Sequence, residues 1–217
     1  MATKLKLYEL PGSPNNVKAR LALGYKKLAY DSEMLKLDGY PGDRSKVVAV
    51  SGQPLTPVLV HGDTVIFDSA AIIRYLDANF RQTPPLFSSD HQEMAVIEDW
   101  ELYTKTKLSE PVGMIFGQVM APKPDRGAFD RACSLMHEAT GRIEQQLGKT
   151  TCLVRQTPSA ADFTAAPFVN LALLPAVDPK ESPIGAFFHA NLRLGPGRDR
   201  TRAWVAKMMA YDPAAAR

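Results

Sequence analysis

Two hydrophobic periods alternate over the first eighty residues. In "KLKLYEL", Leu5 and Leu7 fall on one face of an alternating run, which predicts a strand. Val17, Leu21, Gly24 and Leu28 then recur at helical spacing over residues 16–27. "YDSEMLKL" predicts a second, edge-like strand, and "GDRSKVVAVS" a short helix or irregular turn. "PVLVHGDTVIF" has the form of a hairpin, two β-branched runs joined by Gly62-Asp63. "DSAAIIRYLDANF" returns to the helical period with Ile72, Ile73 and Leu76. The predicted order is β-α-β-α-β-β-α. A helix joins the first two strands, so they should be parallel, and the last two should form an antiparallel hairpin.

"RQTPPLFSS", residues 81–89, is a linker by composition. Beyond it the strand signals stop. Helical patterns run over residues 91–110, 125–147, 160–174 and 200–210. Two domains are expected, an α/β unit over residues 1–81 and an all-helical one over residues 90–217, with no internal repeat.

Composition narrows the function classes. The 217 residues are 45% hydrophobic and 23% charged, as in an ordinary soluble globular protein. The net charge of +3 is too small to argue for nucleic acid. The basic stretch "RLGPGRDRTR" reads as a solvated loop and helix start. No apolar run approaches the ~18 residues of a membrane span. "MATKLKLYEL" lacks the apolar core of a signal peptide, so a cytoplasmic protein is expected. Cys133 and Cys152 share no C-x-x-C motif, and His61, His91, His137 and His189 are scattered, which argues against a metal. Phosphate-binding glycine loops and the G-x-S-x-G nucleophile motif are absent from the sequence.

Four stretches carry candidate chemistry. In "LYELPGSPNNVKARLAL", turn formers and small polar side chains crowd the handover from strand to helix. Ser13 and Asn15 could cap the helix and make an Asx turn, or they could hold a ligand. In "GQPLTPVLV", Pro57 opens a strand. It reads as an edge-strand proline or as a cis Thr56-Pro57 bond that turns the Thr56 backbone outward. Cis is found in only ~5–6% of such bonds. A free strand edge there could take up a short peptide as an added strand. In "FDSAAIIRYL", Asp68 or Ser69 could be a simple N-cap worth ~1 kcal/mol. Alternatively the helix N-terminus and Ser69 could receive a carboxylate while Asp68 pairs with an ammonium, a match to an amino-acid head group. "TPSAADFTAAPF" contains an S-x-x-D capping box, Ser159 to Asp162, with Phe163 as a staple. Its reading is structural: breaking it should cost stability rather than activity.

In this order, and with "DSAAIIRYL" and "SAAD" as the most specific elements, the chain resembles the cytosolic glutathione transferase family over nearly its whole length. "RTRAWVAKMMAYDP" is also similar to that family's last helix. The resemblance implies a thioredoxin-like N-terminal domain, an all-helical C-terminal domain and a homodimer. It makes Pro57 the family's cis-proline, pairs Thr56 with the cysteinyl backbone of glutathione, and gives the γ-glutamyl end to Asp68 and Ser69. Glutathione is then a co-substrate whose thiolate is the nucleophile. Lowering a thiol pKa of ~8.5 by ~2 units takes ~2.7 kcal/mol of differential stabilisation, within reach of one or two hydrogen-bond donors at a helix N-terminus.

Family members place a Tyr, Ser or Cys after the first strand. Here there is no Cys and Tyr8 lies inside the strand, so Ser13 is the hydroxyl in place. "SPNNVK" resembles the T-P-N-G motif of the Nu class and its nitrogen-regulator-like relatives, with Ser13 at the Thr and Asn15 at the Asn. Nu-type enzymes can reduce glutathione-linked or small organic disulfides. The chain departs from the family at Leu55, where many relatives carry a lysine near the glycine carboxylate of glutathione. Gln53, Lys46 and Arg44 are the candidates to replace it, and Pro54 stiffens the approach to Pro57. Trp100, Tyr103, Met114, Phe116 and Met120 could line an acceptor pocket or form an ordinary apolar core stripe. Cys133 and Cys152 read as inert thiols. The expected activity is attack of activated glutathione on small electrophiles. The alternatives are a glutathione-dependent disulfide reductase or peroxidase, and a non-catalytic ligand carrier or scaffold of the same fold. No metal, nucleic acid or membrane partner is expected.

Overall fold

The computed structural model describes residues 4–36 and 42–216, so Leu37 of the "YDSEMLKL" reading lies outside the described residues. The chain divides into two compact units. Ser88–Met209 forms one, and Met1–Phe87 with Ala210–Arg217 forms the other.

In the first unit the elements are β1 (Leu5–Glu9), α1 (Pro14–Tyr25), β2 (Tyr30–Met34), α2 (Ser45–Ser51), β3 (Val58–His61), β4 (Thr64–Phe67) and α3 (Ser69–Asn79). Among the described residues the strands form one sheet in the order β2-β1-β3-β4. β1 runs parallel to β2 with Leu5 opposite Tyr30, and antiparallel to β3 with Leu7 opposite Leu59. The β3-β4 hairpin turns at Gly62, whose φ of 61° is the conformation a two-residue hairpin turn demands. With its helical C-terminal region, this is a thioredoxin-like architecture followed by a helical one.

Burial follows the period of two along β1. Leu5, Leu7 and Glu9 are buried, while Lys6 and Tyr8 face the other side. α1 and α3 pack on each other and bury Leu21, Leu23, Ile72, Ile73 and Leu76. The opposite face of the sheet carries a smaller cluster under α2, made of Leu35, Val47 and Val58 with Tyr8, Leu10 and Val50. α1 begins at Pro14, two residues before the predicted start, because a proline suits the first helical position, where the N–H has no partner to lose. Its residues from Asn16 to Leu23 are all buried, Lys18 and Arg20 included, so the helix is far less one-sided than its apolar spacing implies.

The "RQTPPLFSS" stretch is pinned rather than loose. Leu86 is fully buried, and the Asp77 carboxylate accepts the Leu86 and Phe87 N–H groups at 2.9 and 3.1 Å. The buried Lys26 ammonium donates to Asp77 Oδ1 at 2.7 Å and to the Pro84 carbonyl at 3.0 Å.

The second unit contains α4 (His91–Tyr103), a π-helical turn (Thr104–Leu108), α5 (Ser109–Val119), α6 (Arg126–Gln146), α7 (Ala160–Asn170), α8 (Pro183–Asn191) and α9 (Asp199–Met209). The helix predicted over residues 91–110 therefore continues to Val119 through a widened turn. Pro111 brings no N–H to the ladder, and hydroxyls take up the backbone acceptors nearby. Thr104 Oγ1 donates to the Trp100 carbonyl at 2.9 Å and Ser109 Oγ to the Lys105 carbonyl at 2.6 Å. α8 carries no clear apolar period and has no counterpart in the sequence reading.

The capping box forms as expected at the start of α7. Asp162 is fully buried and accepts the Ser159 N–H and hydroxyl, the Leu153 N–H and the Trp204 indole N–H, each at 2.9 Å. Burial pushes its carboxyl pKa up, against the pull of these donors. No helix among the described residues is long and apolar enough to cross a membrane.

Candidate functional site

The turn after β1 is built by backbone first. Gly12 sits at φ 71°, open to the side, and Ser13 follows in extended conformation as the N-cap of α1. The Ser13 carbonyl accepts the Asn16 and Val17 N–H groups at 3.0 and 2.9 Å. The Ser13 hydroxyl makes no cap bond. The side chain that the sequence offers as a cap thus has no partner among the described residues and lies half-buried at the mouth of the turn. Asn15 is exposed, and its Oδ1 receives the Ser69 hydroxyl at 3.4 Å, which links this turn to the start of α3.

Asn16, which the sequence reading left without a role, is the hinge of the arrangement. It is fully buried. Its Oδ1 accepts the Leu10 N–H at 3.2 Å and its Nδ2 donates to Thr56 Oγ1 at 3.2 Å. A signal for it exists in the spacing. Positions 16, 20 and 23 share one helix face, and a polar residue on a buried face must be hydrogen-bonded.

The second segment is the approach to β3. The Thr56-Pro57 bond is cis, the less common of the two readings. The Thr56 N–H and C=O have no partner among the described residues. Of the candidates around Leu55, Gln53 is folded onto its own loop. Its Nε2 donates to Ser51 Oγ and to the Leu55 carbonyl at 3.0 Å each, and its Oε1 accepts the Leu55 N–H at 2.6 Å. Leu55 itself is 73% exposed. Lys46 pairs with Glu33. Arg44, the N-cap residue of α2, has a buried Nη1 with no hydrogen-bond partner.

The third segment is the start of α3. Asp68 is the N-cap, and its Oδ1 accepts the Ala70 and Ala71 N–H groups at 2.8 and 3.1 Å. The capping role that the sequence offered as the plain alternative is therefore filled by Asp68. Oδ2 has no partner among the described residues. Asp68 lies at φ 71°, a conformation that residues with a side chain rarely adopt and that is found where the surroundings enforce it. Ser69 is buried, with its hydroxyl on Asn15. Its N–H is the first of α3 and is left over after Asp68 has capped the next two.

The Asn15–Ser69 and Asn16–Thr56 bonds thus bring three segments together. Between them they offer a free hydroxyl at Ser13, an amide at Asn15, an unpaired peptide edge at Thr56, and a helix N-terminus with a carboxylate oxygen beside it. Chemically this suits an extended peptide carrying an ammonium and a carboxylate at one end. In the helical unit, one of the apolar candidates, Trp100, turns out to be core, and Tyr103 is half-buried. Trp100 is buried, with the Arg142 guanidinium 4.2 Å above its ring, and the Tyr103 hydroxyl donates to the Ala139 carbonyl at 2.9 Å. Met114 is half-buried, and Phe116 and Met120 are exposed. Cys152 is fully buried, and burial pushes its thiol pKa up to about 11, so it is inert at neutral pH. No group of three or more potential metal ligands occurs among the described residues.

Comparison with known proteins bears on the fold that carries these segments. Residues 7–84 match the family model described as "Glutathione S-transferase, N-terminal domain". Glutathione S-transferase F10 of Arabidopsis thaliana is 28% identical over 151 residues, 66% of this chain and 70% of that one. Glutathione S-transferase Z2 of the same plant is 41% identical over 95 residues, a segment spanning 43% of this chain and 41% of that relative. Among solved structures, a glutathione S-transferase from the Antarctic clam Laternula elliptica superposes with a TM-score of 0.70 at 24% identity, covering 99% of this chain and 94% of that one. The theta class glutathione S-transferase of Xanthomonas axonopodis pv. citri, solved with glutathione bound, gives 0.73 at 21% identity, covering 94% and 92%. The match to that N-terminal domain model thus covers most of the first unit, and the solved structures share the fold of the chain as a whole.

Proposed function

We propose that this chain is a glutathione transferase whose N-terminal unit binds the tripeptide across the three segments and activates its thiol. The observation that carries this reading is the convergence of the Ser13 turn, the cis Thr56-Pro57 turn and the α3 N-terminus through the Asn15–Ser69 and Asn16–Thr56 bonds.

In this reading the γ-glutamyl carboxylate takes the Ser69 N–H and hydroxyl, and its ammonium takes Asp68 Oδ2. The cysteinyl backbone pairs with the Thr56 N–H and C=O as a short added strand. The sulfur then faces Ser13. Its hydroxyl, free of any cap bond, donates to the thiolate, and the Asn15 amide assists at the positive end of the α1 dipole. Together they lower the thiol pKa, so the nucleophile is formed before an electrophile arrives. Arg44, with a guanidinium nitrogen unpaired, is our choice for the glycine carboxylate in place of a lysine at Leu55. Gln53 acts indirectly, by shaping the Leu55-Thr56 backbone. The acting form is a cytoplasmic homodimer.

The exposed Asn15 amide favours one alternative, a Nu-like disulfide reductase or peroxidase, in which the same thiolate attacks sulfur or oxygen instead of carbon. The reading is tested by retention on immobilised glutathione followed by conjugation of an aryl halide. Retention with turnover of a hydroxyethyl disulfide but not of the aryl halide would select the alternative. No retention and no activity would leave a non-catalytic protein of this fold.

A further inference from the structure

The strand and helix flanking the Ser13 turn are locked by a buried ion cluster that is completed from the far end of the sequence. Arg20, midway along α1, donates from Nη1 to Glu9 Oε2 at 2.7 Å, and Glu9 is the last residue of β1. The other edge of the guanidinium grips Asp212, Nε to Oδ1 and Nη2 to Oδ2, at 2.8 Å each. Glu9 Oε1 takes the Ser32 hydroxyl at 2.6 Å, and Asp212 Oδ1 also accepts the Ala214 N–H at 3.0 Å. Glu9, Arg20 and Asp212 are 1%, 4% and 6% exposed.

A second contact seats the same segment independently. Gly24 lies one turn beyond Arg20, and a Cβ there would come within 1.9 Å of the Tyr211 carbonyl oxygen, so the segment's backbone rests directly on α1. Tyr25 and Tyr211 meet edge to face with centroids 5.2 Å apart. The residues after Met209 therefore belong structurally to the first unit.

The consequence concerns the turn. Only residues 10–13 separate β1 from α1, so the angle between strand and helix decides where Ser13 and Asn15 sit. Glu9 and Arg20 set that angle by direct contact across the turn. Without Asp212, Arg20 would keep Nε and Nη2 buried with no acceptor, a costly state that is relieved only if its side chain swings or water enters. Either response loosens the hold on Glu9.

We propose that Asp212, acting through Arg20 and Glu9, is a positioning residue of the thiol site, so that the chain's last segment takes part in holding Ser13 and Asn15 against the glutathione sulfur. This rests on the functional reading above.

The test uses the full chain and four variants: Asp212→Asn, Asp212→Glu, Gly24→Ala and, as a stability control in the helical unit, Ser159→Ala. At a temperature where circular dichroism shows each folded, the ultraviolet thiolate absorbance of bound glutathione is titrated against pH, and kcat and KM are measured. A displacement of catalytic groups by about 1 Å can cost up to ~100-fold. Asp212→Asn should therefore lower kcat/KM by about 10-fold or more and raise the bound thiol pKa. Asp212→Glu should recover part of both. Gly24→Ala, which pushes the segment and Asp212 with it off α1 without replacing any member of the ion cluster, should move both in the same direction as Asp212→Asn. Ser159→Ala should lower the melting temperature and leave the thiol pKa alone. If Asp212→Asn and Gly24→Ala melt earlier yet titrate the bound thiol as the wild type does, Asp212 is only a staple and the proposal is overturned. If the wild-type chain binds no glutathione at all, the functional reading fails first and takes this proposal with it.

Discussion

Asn16 and Thr56 are 40 positions apart in sequence and joined by one hydrogen bond, Nδ2 to Oγ1, at 3.2 Å. The same Asn16 side chain holds the Leu10 N–H at the end of β1. One buried amide thus spaces the turn that carries Ser13 from the turn that carries Pro57. Asn16→Leu would leave the Leu10 N–H and the Thr56 hydroxyl without their partner, at about 1–3 kcal/mol. The expected outcome is a lower melting temperature together with a raised KM for glutathione. Asn16→Asp keeps the acceptor and loses the donor, and should fall between wild type and Asn16→Leu in both measurements.

Ser13 and Asn15 are separable by their commitments. The Ser13 hydroxyl has no cap bond, whereas Asn15 already receives Ser69. Sharing ~2.7 kcal/mol between two donors, with the larger part on the Ser13 hydroxyl, assigns Ser13 at least about one pKa unit. Ser13→Ala should raise the pKa of bound glutathione by about one unit, and Asn15→Ala by less. Thiolate absorbance as a function of pH reads both directly.

The capping box should behave oppositely. Ser159 gives both its N–H and its hydroxyl to Asp162, inside the helical core. Ser159→Ala is expected to cost about 1–2 kcal/mol in denaturant unfolding, as a lost N-cap does, with KM for glutathione unchanged.

An acid limb of stability is traceable to Glu144. Burial pushes its carboxyl pKa up, but the Thr201 N–H and hydroxyl, at 2.9 and 2.7 Å, and the Arg200 N–H, at 3.2 Å, more than offset this and hold it below the usual carboxylate value. A depressed folded pKa contributes stability that is present above the unfolded value of ~4.3 and lost as pH falls through the folded one. Glu144→Gln should therefore destabilise the protein at pH 7 and flatten the fall in melting temperature below about pH 4.

Local features were legible in the sequence and long-range ones were not. The strands of the sheet and the β3-β4 hairpin follow from alternation and from Gly62-Asp63, because period and turn chemistry act over a few residues. The side chains picked out at Ser13, Asn15, Thr56, Asp68 and Ser69 lie on three segments that the fold joins. What escaped was whatever depends on a distant partner. Asn16 looks like one more turn residue until Thr56 is beside it. Arg20 looks like a solvated helix charge until Glu9 and Asp212 enclose it. Trp100 has the composition of a pocket residue, yet it is buried under the Arg142 guanidinium as core. The π turn ahead of Pro111 escaped for a different reason, since a proline three residues into a helix reads as a stop unless neighbouring hydroxyls absorb the freed acceptors.

The central claim is that glutathione lies across these three segments with its sulfur at the Ser13 turn. A crystal structure of the protein soaked with glutathione tests it most directly. The account predicts the sulfur within hydrogen-bond reach, about 3.5 Å, of Ser13 Oγ or the Asn15 amide, with the γ-glutamyl group at Asp68 and Ser69. A bound tripeptide whose sulfur lies far from both Ser13 and Asn15 would contradict it.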